Sequence, residues 1–193
     1  EMRSAIDHSN ISKFDIVGFD ACLMGMAEQA FDLRGLADYF VASQELEPGD
    51  GWAYDQLLQA LASNPFMTAK NLSFSMVNTY APQYSGEPDI TLSAVDVNSL
   101  STLETALDNF VSRALTVGSS DLDQMRLAAA SARHFPSDGS RDYADLGQFM
   151  NEVAARVSDN TLKNSALSVY GAVDDAVIRP VSYTHLRAHE TRE

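Results

Sequence analysis

Residues 14–24, FDIVGFDACLM, form a short apolar run that carries the chain's single cysteine, Cys22, and leads at once into a segment of helical periodicity. Such a run, rich in aliphatic and aromatic residues, is the pattern of a buried strand. After it, Met24, Ala27, Phe31, Leu36 and Tyr39 recur at helical spacing, with Glu28, Asp32, Arg34 and Asp38 between them. Strand, tight turn and helix in that order predict an α/β domain. Open α/β sheets carry their chemistry at the C-terminal ends of strands, which is where Cys22 falls. The predicted turn would aim backbone N–H groups and the positive end of a helix starting at Met24 at the sulfur, an arrangement that favours thiolate over thiol.

Free cysteine is also among the most buried residue types, so two readings stay open. In one, Cys22 is a nucleophile, which requires a histidine partner. In the other, it is an inert, enclosed side chain of a small α/β domain. A reactive thiol alkylates at mildly acidic pH, and an enclosed neutral one does not.

The remaining pattern alternates strand and helix over the first hundred residues and then turns mostly helical. Residues 16–19 and 40–43 read as adjacent parallel strands joined by the helix from Met24. Residues 54–62 and 69–80 read as helices parted by the breaker Asn64-Pro65, and Pro82, Gly86 and Pro88 mark a loop. Residues 90–97 are β-branched and alternate, as a further strand does. Residues 100–115, 122–134 and 143–157 carry helical periodicity, and residues 166–173 fit helix or strand equally.

Composition narrows the function classes. With 193 residues and 45% hydrophobic content, the chain can bury one sizeable core, and nothing demands two domains. A net charge of −14 argues against nucleic acid and against anionic membrane surfaces, which both need clustered Lys and Arg. An acidic surface suits basic peptides better. One cysteine permits no internal disulfide, and no stretch approaches the roughly 20 apolar residues of a membrane helix. The opening residues lack the pattern of a signal peptide, and the start at Glu1 reads as a cut. Residues 182–193, SYTHLRAHETRE, depart from the preceding composition and resemble translated adapter sequence. His185 and His189 are spaced as a helical metal pair can be, but lack a third ligand nearby.

FDIVGFDACLM followed by residues 41–55, VASQELEPGDGWAYD, resembles the clostripain-like cysteine peptidases, a family with the caspase-like fold. The acidic, glycine-rich turn with its tryptophan is the more specific of the two segments. Residues 90–100 (ITLSAVDVNSL), 142–150 (DYADLGQFM) and 166–174 look like later parts of the same family. The resemblance implies a mostly parallel sheet flanked by helices and truncated at its N-terminal side. Residues 1–180 would then be the second half of a peptidase domain, with 181–193 a non-native tail.

By the same resemblance, Cys22 is the nucleophile of an endopeptidase cleaving after Arg or Lys, and Asp20 and Asp50 line the pocket for that basic residue. The physics agrees, since a cation entering an enclosed pocket loses hydration that carboxylates must replace. Asp20 reads equally as a cap of the following helix, and Asp50 as a turn residue between glycines. Glu45 and Glu47 read as solvated rim charges, and Trp52 as a cleft wall or a core side chain. The family's catalytic histidine precedes a glycine upstream of the cysteine strand. Neither His8, followed by Ser9 and Asn10, nor His134, placed at a helix end before Phe135-Pro136, matches that motif. No catalytic histidine is assigned, and the chain alone is expected to have little or no activity. Its partners would be basic peptide or protein substrates and the missing N-terminal part of its own domain. Family resemblance also brings secretion or a bacterial cell-envelope location, and calcium dependence, although no EF-hand spacing is present. A non-catalytic binding module of the same fold is the alternative.

Overall fold

A computed structural model describes residues 6, 8, 11–87, 89–139 and 143–183. The chain divides into two compact units, residues 1–98 with 177–193, and residues 99–176.

The first unit is a sheet with helices. Its strands are β1 (Phe14–Phe19), β2 (Ala37–Ala42), β3 (Ile90–Asp96) and β6 (Val177–Tyr183), in the spatial order β1-β2-β3-β6. Between them lie α1 (Ala27–Asp32), α2 (Tyr54–Ser63) and α3 (Ala69–Gln83). In β2 the residues Phe40, Val41 and Ala42 are all buried, as are Ile90, Leu92 and Ala94 in β3. The unbroken run in β2 suits a central strand covered on both faces, whereas in β3 Thr91 and Ser93 alternate with the buried apolar residues. Helix α3 packs on β2, β3 and β6, and its Val77 and Tyr80 join Val41, Trp52, Tyr84, Ile90, Leu92 and Ala94 in one core. Each large side chain so enclosed contributes about 1.5–3 kcal/mol of transfer free energy.

β1 and β2 are parallel, as expected, with Phe14 opposite Ala37 and Phe19 opposite Ala42. The expectation of a mostly parallel sheet needs correction, because β2 with β3 and β3 with β6 are antiparallel. A single crossover helix returns a chain to the end where the previous strand began. The connection from β2 to β3 instead holds two helices, α2 and α3, and β3 starts from the end at which β2 stops.

The helix expected from Met24 to Tyr39 is also shorter. It spans only Ala27–Asp32, and Gly35, at a φ of 76°, turns the chain into β2, where Leu36 and Tyr39 become strand-side residues. Strand β6 was not anticipated. Pro180 and Arg179 interrupt its pattern, and proline is tolerated there because β6 lies at a sheet edge, opposite Ser93 of β3. The strand runs on to Tyr183, into the segment set apart as tail, whereas His185 and His189 lie outside the described residues.

The second unit holds α4 (Leu100–Ala114), α5 (Ser119–Ser131), α6 (Leu146–Arg156), α7 (Asn160–Ala176) and a two-stranded ribbon, β4 (His134–Phe135) with β5 (Tyr143–Ala144). Helix α7 packs on α4 and α6, and α5 on α6, enclosing Leu103, Phe110, Met150, Val153, Leu162 and Val169. The ambiguous residues 166–173 are thus helical. Tyr143, expected in a helix, sits in β5, because Asp145 caps α6 by accepting from the Gln148 N–H at 2.7 Å. His134 likewise belongs to β4 rather than to a helix end. Asp159 accepts from Arg113 Nε at 3.0 Å and from the Leu162 N–H at 2.7 Å, and the guanidinium holds its carboxyl down to about 2.

Candidate active site

Because β1 and β2 run parallel in close register, their C-terminal ends lie at the same edge of the sheet. The turn after β1 and the long loop after β2 therefore meet. Leu23 N–H donates to the Glu45 carbonyl at 3.1 Å and Gly25 N–H to the Ser43 carbonyl at 2.6 Å, so the two chains stay zipped beyond the strands. Leu23, directly after the cysteine, has a φ of 59°, a left-handed conformation unusual for leucine. Strain of this kind persists where surrounding bonds over-determine the backbone, and it clusters at functional sites.

Cys22 is exposed in this turn, so the reading of an enclosed, inert thiol does not hold. Its sulfur receives the backbone N–H of Glu47 at 3.3 Å. That donor comes from the loop after β2. Helix α1 starts only at Ala27 and has six residues, so it does not supply the N–H groups expected at the sulfur.

Asp20 caps no helix. Its Oδ2 accepts from the Trp52 N–H at 3.2 Å and from the Tyr54 hydroxyl at 3.0 Å, tying the end of β1 to the start of α2. Asp50 is exposed in the turn between Pro48 and Gly51, closed by the Gly51 N–H on the Pro48 carbonyl at 3.0 Å. The carbonyl of Gly51 in turn accepts from Gln83 Nε2 at 3.1 Å and from the Tyr84 hydroxyl. Burial raises the Tyr84 phenol, and the charges of Asp50, Glu47 and Asp20 raise it further, so one side chain senses all three carboxylates. Asp20 lies in the turn after β1 and Asp50 in the loop after β2, and these two loops meet through Trp52 N–H on Asp20 and Glu47 N–H on Cys22.

Glu45 and Glu47 are not solvated rim charges. Glu45 is buried, with Oε1 accepting from the Leu46 N–H at 3.0 Å, and its own N–H reaches Ser43 Oγ and Thr91 Oγ1, each at 3.0 Å. Thr91 also receives the Gln44 N–H at 3.0 Å, which pins the loop to β3. The Glu47 carboxylate accepts from Trp52 Nε1 at 3.3 Å and from the Tyr80 hydroxyl at 2.8 Å. Trp52 accordingly packs in the core and uses its one polar atom on Glu47. Periodicity carries no signal for the contacts of Glu47 with Cys22 and Tyr80, 25 and 33 positions away, or of Glu45 with Thr91, 46 away. The run Glu45-Leu46-Glu47, with an apolar residue between two acids, was the only local hint.

Burial pushes the Glu47 carboxyl up to about 7 from its usual 4.5, against the lowering effect of the Tyr80 and Trp52 bonds. The folded state therefore binds this proton more tightly than the unfolded chain. Its contribution to stability is complete below about pH 4.5 and is lost as pH rises through about 7. Urea titrations should show the parent losing stability from about pH 5 to about pH 8 more steeply than Glu47→Gln, which has no proton to lose. Parallel pH profiles would contradict this.

Among the described residues, no group of three or more His, Cys, Asp and Glu is arranged to hold a metal ion. Among the same residues, no helix is long and apolar enough to cross a membrane.

The sequence profile of the clostripain family matches residues 1–191. No curated protein sequence matches the chain. Among solved structures, a cysteine protease of B. fragilis superposes with a TM-score of 0.67 at 18% identity, over 94% of this chain and 72% of that one. A clostripain from Bacteroides thetaiotaomicron ATCC 29148, in complex with the peptide inhibitor BTN-VLTK-AOMK, gives 0.71 at 17% identity, over 96% of this chain and 77% of that one. A secreted cysteine protease from Bacteroides thetaiotaomicron, in complex with an irreversible peptide inhibitor, gives 0.67 at 20% identity over 93% of this chain. The chain spans 47% of the length of that last protein. At such identities the superpositions speak for the fold, and the profile match over nearly every residue speaks for the family. An α/β sheet with an exposed cysteine at its C-terminal edge, and a profile match of that extent, lead to one assignment: the chain belongs to the clostripain family of cysteine peptidases.

Proposed function

We propose that this chain is the nucleophile-bearing part of an endopeptidase that cleaves after arginine or lysine, with Cys22 as nucleophile and Asp20 and Asp50 as the carboxylates that receive the basic side chain. One observation carries the reading: an exposed thiol in a strained turn at the strand C-terminus, with Asp20 in the same turn and Asp50 in the loop that meets it. The lysine that ends the VLTK inhibitor of the Bacteroides thetaiotaomicron relative supports the specificity. Attack by the Cys22 thiolate, its proton taken by a histidine, on the scissile carbonyl forms a C–S bond and an oxyanion, for which the Cys22 N–H is the proposed donor. Collapse breaks the C–N bond, and the amine leaves with a proton from a histidine. Water then hydrolyses the thioester.

That histidine belongs to an upstream segment, since the residues before Cys22 contain no His-Gly motif. Residues 1–180 act as the second half of the peptidase domain, and the upstream half is the partner they need. The secreted relative supports an extracellular or envelope location.

The chain alone should turn over Arg or Lys peptides no faster than background. Joined to its upstream coding sequence it should cleave after Arg and Lys, and Cys22→Ala should abolish that cleavage. Turnover by the isolated chain would overturn the need for an upstream histidine, and cleavage after acidic or apolar residues would overturn the pocket assignment.

A further inference from the structure

Glu47 touches the candidate nucleophile with one end and the core with the other. Its backbone N–H lies 3.3 Å from Cys22 Sγ, and its carboxylate is gripped by Tyr80 on α3 and by Trp52. Tyr80 is fully enclosed and Trp52 nearly so, which makes the grip rigid. The loop carrying Glu47 has no regular secondary structure between β2 and α2. Backbone bonds tie this loop to the turn after β1 as far as Glu45, and beyond that residue its approach to the sulfur rests on side-chain anchors. We propose that Glu47 is a positioning residue, whose half-buried carboxylate, held by Tyr80 and Trp52, fixes the loop so that its own N–H donates to the Cys22 sulfur.

An N–H aimed at sulfur is a stronger partner for thiolate than for thiol, since hydrogen bonds to a charged acceptor are roughly twice as strong as neutral ones. Losing the anchor therefore penalises the thiolate. The charged and titratable groups that bear on Glu47 are Asp20 after β1, Tyr54 on α2, and Tyr80 on α3. Tyr84, also on α3, senses the same carboxylate. Asp20 and Glu47 repel each other once both are ionised, and the two bonded donors hold the Glu47 carboxyl against that repulsion. The inference rests on Cys22 being a reactive thiol, and it concerns a residue that does not itself contact substrate.

Alkylation of Cys22 by iodoacetamide in this chain, followed by mass spectrometry across a range of pH, tests it without any need for turnover. Tyr80→Phe keeps the ring in the core and removes one anchor; Glu47→Ala removes both. Each should raise the midpoint of the alkylation profile by about half a pH unit or more and slow the reaction near neutrality by about 3- to 5-fold, with Glu47→Ala the larger. Glu47→Gln, which keeps an acceptor for Tyr80, should fall between parent and Glu47→Ala. Simple loosening of the loop would instead speed alkylation at every pH without moving the midpoint, and that result overturns the proposal. So do coincident profiles for parent and Tyr80→Phe, which suffices should Glu47→Ala fail to fold. A parent thiol that stays unmodified throughout the range would remove the nucleophile itself, an outcome distinct from a reactive thiol indifferent to Tyr80.

Discussion

Asp50→Ala should lower kcat/KM for an arginine peptide by about 30-fold or more in the peptidase joined to its upstream part, and leave unfolding in urea unchanged within about 0.5 kcal/mol. The two effects separate because Asp50 is exposed in its turn, so the fold loses little when it goes. A guanidinium leaving water for the cleft, by contrast, loses a partner worth about 2 kcal/mol or more, which is about 30-fold in rate. Asp20→Ala differs in kind. Its carboxylate also holds Trp52 N–H and the Tyr54 hydroxyl, so stability and specificity should fall together. A variant at Asp50 with unchanged preference for Arg over an uncharged residue would remove that aspartate from the pocket.

Gly25→Ala should be the most damaging small substitution in the site loops, destabilising the chain by about 3 kcal/mol through overpacking. A Cβ at this position would sit 2.7 Å from the Ser43 carbonyl carbon, 2.8 Å from Gln44 N and 2.9 Å from Ser43 O. All three are backbone atoms. They are held in turn by the Gly25 N–H bond to Ser43 and by the Gln44 N–H bond to Thr91, so neither segment can retreat without breaking a bond. Urea unfolding of the parent and the variant measures the difference. A change below about 1 kcal/mol would mean that the two loops part easily, and the zipped edge described above would not be rigid.

Much of this molecule is legible in its residues. The apolar runs ending at Phe19 and Ala42 specify two strands, the single helical segment between them makes those strands parallel, and parallel neighbours put Cys22 and the acidic loop at one edge. Helices α2, α3, α4, α5 and α6 follow from periodicity and from breakers such as Asn64-Pro65, whereas residues 166–173 of α7 fit helix or strand equally. The direction of β3, the existence of β6 and the early end of α1 were not legible. The two helices between β2 and β3 are legible, but the end of the sheet at which they deliver β3 depends on their packing; β6 depends on an edge that tolerates Pro180, and the early end of α1 on a left-handed Gly35 inside an otherwise helical pattern.

Sequence alone determined which atoms are available at the site: one thiol after a strand, two aspartates and an acid-rich loop, together with the family they mark. The tertiary structure decided what those atoms touch. Glu47 meets Cys22 across 25 positions and Tyr80 across 33, and Asp20 meets Trp52 across 32. Propensity and periodicity describe energies within a turn or two of one residue. Contacts such as these are set by strand register and by which loops share a sheet edge, and they exist only once the core around Trp52 and Tyr80 has closed.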